Sequence, residues 1–254
     1  MPSPRFDQYR EFLKDTIRQR IDFSQTDQSR GVPPPPLEKP FSVEATRIKL
    51  AQPGQWQGIG QMDLLTAIRR RESRRDFTGD PLSRQDLSFL LWTTQGVRRR
   101  VNQTTALRTV PSAGARHALE TYLCVMNVEG LEAGIYRYLP LEHELLPEFL
   151  DSQVRGRLVE AAFGQSYVGQ AAVTFIWTAV PHRMEWRYDL AAHKAIALDA
   201  GHVCQNLYLA CEAIRAGTCA VAAYHQQLMD RLVRVDGSDE FVIYLAPVGK
   251  VAGD

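Results

Sequence analysis

The 254-residue chain predicts an α+β fold. Three observations lead there. Thr121–Met126 and Ala172–Val180 are apolar runs rich in β-branched and aromatic residues, the composition of strands. Leu190–Ile214 carries Ile196, Ala200, Val203, Leu207, Ala210, Cys211 and Ile214 at helical spacing. Strands and helices follow one another without regular βαβ alternation, which argues against a doubly wound sheet.

The elements read in order as follows. Residues 5–22 place Phe6, Tyr9, Phe12, Leu13 and Ile17 on one face of a short amphipathic helix. Pro33-Pro34-Pro35-Pro36 cannot continue a helix, so residues 1–60 read as a helix followed by an extended, Pro-rich arm. The main body, residues 61–254, opens with a helix over Met62–Arg71. Pro81 and a Ser83 N-cap start a second helix through Leu87, Leu90 and Leu91. Thr121–Met126 and Gly134–Tyr138 read as paired strands, and Ala172–Val180 as a central strand buried on both faces. Leu198, Leu209 and many alanines make the long helix apolar nearly all round, which predicts full burial, His202 included. Gly217 is placed at its C-cap and Phe241–Gly249 is a terminal strand.

Net charge is +1, from 30 basic and 29 acidic residues. Such a balance provides no global field to collect nucleic acid or an anionic membrane. No apolar run reaches membrane-spanning length. Cys124, Cys204, Cys211 and Cys219 form no C-x-x-C pair and sit in apolar contexts, the setting of buried reduced thiols. No signal peptide is read before Met1-Pro2-Ser3-Pro4, so a cytoplasmic location is expected.

Any anion site must therefore be local. Arg69, Arg70, Arg71, Arg74 and Arg75 crowd around Ser73 at the end of the helical pattern Leu64, Leu65, Ile68. Guanidinium forks match phosphate, and a serine hydroxyl adds a neutral donor. A solvated basic helix end, favoured by the helix dipole, explains the same residues equally well.

Five motifs then occur in a recognisable order. Arg71-x-Ser73-x-Arg75-x-Phe77 with Pro81 resembles the opening motif of the FMN-dependent nitroreductase superfamily. Pro111-Ser112-Ala113-Gly114-Ala115-Arg116-His117 resembles a signature of its SagB-type and thiazoline (azoline) dehydrogenase branch. Ala200–Leu209, Gly217-Thr218-Cys219-Ala220 and Tyr244–Gly249 resemble that branch's later segments. The resemblance implies a nitroreductase-like mixed sheet flanked by helices, in an intertwined homodimer with two FMN sites at the subunit interface. It implies that Arg71, Ser73 and Arg75 hold the FMN phosphate and ribityl chain. Arg69, Arg70 and Arg74 are then solvated or dimer-facing, and Glu72 points away. Pro111, Ser112, Ala113 and Gly114 would approach the flavin from the partner subunit. Arg116 would supply a further cation, with a surface ion pair as the alternative. A backbone N–H of Ala222 or Ala223 would face flavin N5, Gln165 the pyrimidine ring, and Lys250 the phosphate.

Other constellations are weaker. Ser112 and His117 lack a nucleophile elbow and a third partner. His182, His193, His202 and Asp199 match no metal-binding spacing, so no metal is expected. Gly58-Ile59-Gly60 lacks the rest of a dinucleotide fingerprint, so NAD(P)H would visit only transiently as electron donor. Arg187-Tyr188 stands where azoline dehydrogenases carry Lys-Tyr. Arginine stays protonated and is a poor base, whereas Tyr188 can still exchange a proton. Arg187 and Tyr188 are thus the catalytic candidates, with an ordinary loop or substrate-pocket rim over Trp186–Tyr188 as the alternative.

The expected activity is hydride transfer from NAD(P)H through flavin to an electron-poor nitroaromatic or quinone-like acceptor. Azoline-to-azole oxidation on a modified peptide is the alternative, and a non-catalytic flavin-binding accessory protein is the third reading.

Overall fold

A computed structural model of the chain describes residues 4–59 and 61–253. Gly60, part of the rejected dinucleotide pattern, lies outside them. The elements are α1 (Asp7–Leu13), β1 (Ile48–Lys49), α2 (Leu64–Arg70), α3 (Arg84–Gln95), β2 (Val97–Asn102), β3 (Thr105–Arg108), β4 (Leu119–Val125), β5 (Gly134–Leu139) and β6 (Glu144–Leu150). They continue with α4 (Val154–Ala161), α5 (Tyr167–Gln170), β7 (Val173–Ala179), α6 (His182–Tyr188), α7 (Ala192–Glu212), β8 (Ala216–Thr218), α8 (Gln226–Val233) and β9 (Phe241–Lys250).

The expected α+β class is the observed one. Seven strands form one sheet in the order β1-β6-β5-β4-β7-β9-β8. Its ladders are antiparallel; parallel contact is confined to isolated bridges, Ser73 with Thr218 and Leu82 with Val128. β7 is central and fully buried, because both of its faces are covered. Leu119, Leu123, Phe175 and Trp177 face α3 and α7, while Tyr122, Cys124 and Ile176 face α4 and α8. The period-2 alternation of β4 and β7 thus feeds two cores, one per face.

Several expectations change. The helix expected over residues 5–22 stops at Leu13, where Lys14 turns extended, and a 3₁₀ turn follows over Thr16–Arg20. α1 buries nothing, so no tertiary packing prolongs it. The proline run is extended as read, but the arm adds β1 to the sheet edge. Buried arginines strap the arm down: Arg108 Nη2 donates to Leu37 O (2.9 Å) and Arg137 Nη1 to Lys39 O (2.8 Å).

α3 is capped as its sequence indicates. Ser83 Oγ accepts from the Asp86 amide (3.0 Å), and Asp86 accepts from the Ser83 amide. α7 is only half buried in the chain. Ile196, Ala200, Val203 and Leu207 pack inward, whereas Leu198, Gly201, His202 and Gln205 are exposed. His202 is therefore a surface residue, with Nδ1 3.8 Å from Asp199. α7 ends at Glu212 and Arg215 supplies the left-handed turn (φ 54°), so Gly217 is a strand residue of β8 rather than a cap. All four cysteines are free and buried. No helix among the described residues is long and apolar enough to cross a membrane.

Candidate functional site

The arginine segment leaves α2 and runs beside β8. Ser73 bridges Thr218, and the Arg74 amide donates to Thr218 O (3.0 Å). Gly217 makes this approach possible, since a Cβ there would lie 2.7 Å from Arg74 Cβ. The extended run then sends alternate side chains to opposite sides. Arg74 turns inward between Glu72 (3.0 Å) and Glu212 (3.9 Å), with its side chain only 15% exposed. Arg70 also pairs with Glu212. The expectation of mostly solvated or dimer-facing arginines thus fails for Arg74, which Glu212 at the end of α7 helps draw inward, while Arg70 stays exposed as it reaches toward the same carboxylate. Arg69 is exposed, and Glu72 is taken up by Arg74.

Arg71, Ser73 and Arg75 converge on two tyrosines. The Arg71 guanidinium lies over the Tyr208 ring (5.4 Å), and Ser73 Oγ is 2.9 Å from Tyr208 Oη. Tyr208 Oη also accepts from the Ala220 amide (2.8 Å). Arg75 lies over the Tyr167 ring (5.6 Å). Cys219 first and the Tyr167 hydroxyl second hold its pKa above the ordinary arginine value. Tyr167 Oη donates to Gln165 Oε1 (2.8 Å), and Gln165 Nε2 donates to Ala223 O (2.8 Å). One network therefore runs from both arginines to the Ala220–Ala223 strip. Among the described residues, neither Arg71 nor Arg75 pairs with a carboxylate, and the exposed Ala222 and Ala223 amides donate no hydrogen bond. Ser73 and Arg75 line an open cleft of about 570 Å³.

Lys250 does not join this corner. Its Nζ pairs with Asp86 (2.9 Å) and donates to Ile214 O (2.8 Å), tying the end of β9 to α3 and α7.

A second corner forms around Gly114, which sits in a left-handed conformation (φ 57°) in a 3₁₀ turn over Ala113–Ala115. A Cβ at Gly114 would lie 2.6 Å from Tyr188 Oη and 3.0 Å from Arg187 Nε. Only glycine permits that contact. Arg187 and Tyr188 form the last turn of α6, not a loop. Arg116 is buried (5% exposed), with its guanidinium 5.0 Å from the Trp186 ring and Nη2 donating to Thr104 O (3.3 Å). The surface ion pair considered for Arg116 is therefore excluded. Burial, then the positive charge of Arg108, pushes the His117 pKa down to about 2. Ser112 Oγ accepts from the His117 amide (2.9 Å), so this serine faces backbone rather than an imidazole base. Burial raises the Asp199 pKa, while the Ser112 side chain and Ala113 amide directed at it pull the other way. Pro111 is exposed at the rim.

The helix α7 carries both corners. Asp199 and Tyr208 are nine residues apart, about 13 Å along the axis and half a turn round it. The exposed stripe Leu198, Gly201, His202 and Gln205 runs between them. Among the described residues, no group of three or more His, Cys, Asp and Glu could hold a metal.

The model of the family described as Nitroreductase matches residues 68–250, which include both corners. The chain belongs to the nitroreductase family. It is 31% identical over 196 residues to a provisionally assigned nitroreductase of Methanocaldococcus jannaschii, covering 77% of this chain and 95% of that one. It is 27% identical over 133 residues to the trifolitoxin-processing protein TfxB of Rhizobium leguminosarum, covering 51% of this chain and 36% of the relative. A solved structure of a provisionally assigned nitroreductase from Anabaena variabilis superposes with a TM-score of 0.68 at 26% identity, covering 82% of this chain and 42% of that one. The chain thus spans less than half of the last two proteins.

Tyr208 and Tyr167 were not singled out as site residues, although they organise the first corner. Tyr208 falls inside the quoted Ala200–Leu209 motif and Tyr167 follows Gln165 by two residues. Nothing in local spacing separates a tyrosine that seats a guanidinium from one that fills a core.

Proposed function

We propose that this member of the nitroreductase family is an FMN-dependent oxidoreductase acting as a homodimer in the cytoplasm. The observation that carries the reading is the convergence of Arg71, Ser73 and Arg75 with the Ala220–Ala223 strip. Two guanidinium groups without carboxylate partners, a hydroxyl and two free amides form a donor set suited to a phosphate and an electron-rich ring edge. Bound FMN would supply a reversible hydride acceptor. Arg71 and Arg75 hold its phosphate and Ser73 the adjoining chain. The Ala222 or Ala223 amide steadies negative charge at the ring, and Gln165 orients its polar edge. Arg187 and Tyr188 line the acceptor's place beside Gly114, the first as a fixed cation and the second as a neutral hydroxyl donor. NAD(P)H is the electron donor, and a nitroaromatic or quinone-like compound is the acceptor.

The dimer completes the site. Leu64, Leu65 and Ile68 on α2 are 54–67% exposed, and Leu198 on α7 is 57% exposed. A second copy covers these faces and brings its Pro111–Gly114 turn to the first copy's arginine corner. The half-turn separating Asp199 from Tyr208 on α7 supports this sharing.

Absorbance in the flavin bands of the purified protein, bleached by NAD(P)H, tests the reading. Colourless protein that takes up no added FMN overturns it. A second reading, azoline oxidation on a modified peptide, draws support from the similarity to TfxB and from Tyr188 beside Gly114. Azole formation on a heterocyclised peptide, with no steady NAD(P)H consumption in its absence, would favour that reading.

A further inference from the structure

Resting on the flavin reading above, we propose that the Gly114 corner binds a carboxylate carried by the acceptor, gripped by Arg187 and Tyr188 in the field of Arg116. The starting observation is a pair of cations with no counter-ion. Arg187 is partly exposed, and its guanidinium stacks at 5.6 Å from the Tyr188 ring. It makes no ion pair or hydrogen bond among the described residues. The Tyr188 hydroxyl, pressed against Gly114, has no hydrogen-bond partner there either. Arg116, two residues beyond Gly114 and 5.0 Å from the ring of Trp186, the residue before Arg187, is buried with its Nε unpartnered.

The nearby acids are committed elsewhere. Glu120 pairs with Arg183, and Glu185 with His193 at 2.8 Å. Asp189 accepts from the Leu190 amide, and Asp199 lies on the Ser112–Ala113 side of the turn, with His202 at 3.8 Å and its Oδ2 without a hydrogen-bond partner. Burial, then the like charge of Arg187, lowers the Arg116 pKa. Leaving a buried charge unpaired is costly, and an oxyanion placed against it recovers that cost. A guanidinium fork meets both oxygens of a carboxylate, and a tyrosine hydroxyl adds a third donor. The site therefore selects an anionic acceptor over its neutral isostere. This also gives arginine at position 187 a role other than that of a base.

Calorimetric titration of the purified full-length protein with benzoate and with benzamide tests the proposal. Benzoate is expected to bind roughly tenfold more tightly, and Arg187→Gln to remove that preference. Arg187→Lys keeps the charge without the fork and retains only part of it. Arg116→Gln should weaken benzoate in the same direction; should that buried substitution unfold the chain, the partly exposed Arg187 pair still decides. In turnover, the KM ratio of methyl 4-nitrobenzoate to 4-nitrobenzoate should fall roughly tenfold in Arg187→Gln. Equal affinity for the two ligands in the unaltered protein, or a benzoate preference that survives Arg187→Gln, overturns the proposal. Flavin absorbance of the same samples separates the two readings. Yellow protein with no benzoate preference defeats this inference alone, and colourless protein that takes up no added FMN yet prefers benzoate defeats the flavin reading alone.

Discussion

The two arginine-bearing corners of this molecule solve the cost of positive charge in opposite ways. At the first, Arg71 and Arg75 stay near solvent and lean on tyrosine rings, so their charge is cheap to hold and free to meet an anion. At the second, Arg116, Arg183 and Arg108 are buried around the Gly114 turn. Among the described residues, Arg183 alone of the three has a carboxylate in direct contact, Glu120. The first corner is built from segments far apart in the chain. The second likewise joins distant segments, the 111–117 turn and α6, but packs them into the interior. Charge at the first corner should therefore matter to a ligand, and charge at the second to folding as well.

The sharpest way to break this contrast is Arg183→Met. It strands Glu120, which is 2% exposed, and should cost about 3–5 kcal/mol of folding stability in denaturant titrations. A loss below about 1 kcal/mol would show that the second corner does not depend on its buried pair. Next comes Arg75→Ala, expected to weaken FMN retention roughly ten- to a hundredfold with little change in unfolding. Arg69→Ala, at an exposed position outside the network, is the control and should leave retention nearly unchanged. Unaltered FMN affinity in the Arg75 variant would remove that residue from the site.

The pH dependence of stability separates the corners again. His117 belongs to the second corner, and its folded pKa of about 2 lies below the unfolded 6.5. Its contribution is thus present above pH 6.5 and is lost as pH falls from there toward 2. At pH 5 the loss is about 2 kcal/mol, which His117→Asn should spare. Identical acid sensitivity in wild type and variant would count against a neutral, buried imidazole. The smallest effect concerns Phe163, which follows α4 in a left-handed conformation (φ 55°) while 63% exposed. Phe163→Gly relieves that strain and should stabilise the fold by about 0.5–1 kcal/mol, read as a rise in Tm.

The elements legible in the sequence were those with strong local signals. β4, β5, β7 and β9 are rich in apolar, aromatic and β-branched residues, and Ser83 with Asp86 is a complete cap. β2, β3 and α6 were less legible. Val97–Asn102 is half arginine and polar, and His182–Tyr188 buries Arg183. Their conformations depend on partners rather than on periodicity. The site divides the same way. Arg71, Ser73, Arg75, Gln165 and Ala223 fall on one network through Tyr208 and Tyr167, two tyrosines that no local pattern marks. Lys250 does not, because Asp86 and Ile214 lie nearer to hand.

What the amino-acid sequence determined by itself was the class of fold, the buried stripe of α7 and the order of the family's motifs. These rest on interactions within a few residues or on apolar periodicity, which any compact state of the chain must satisfy. Only the tertiary structure decided which arginine faces what. Arg70 and Arg74 turned to Glu212, Arg71 and Arg75 to tyrosines, and Arg116 to an indole with no counter-ion. The side chains are chemically identical. Their roles follow from which distant residue the fold sets within reach of each one.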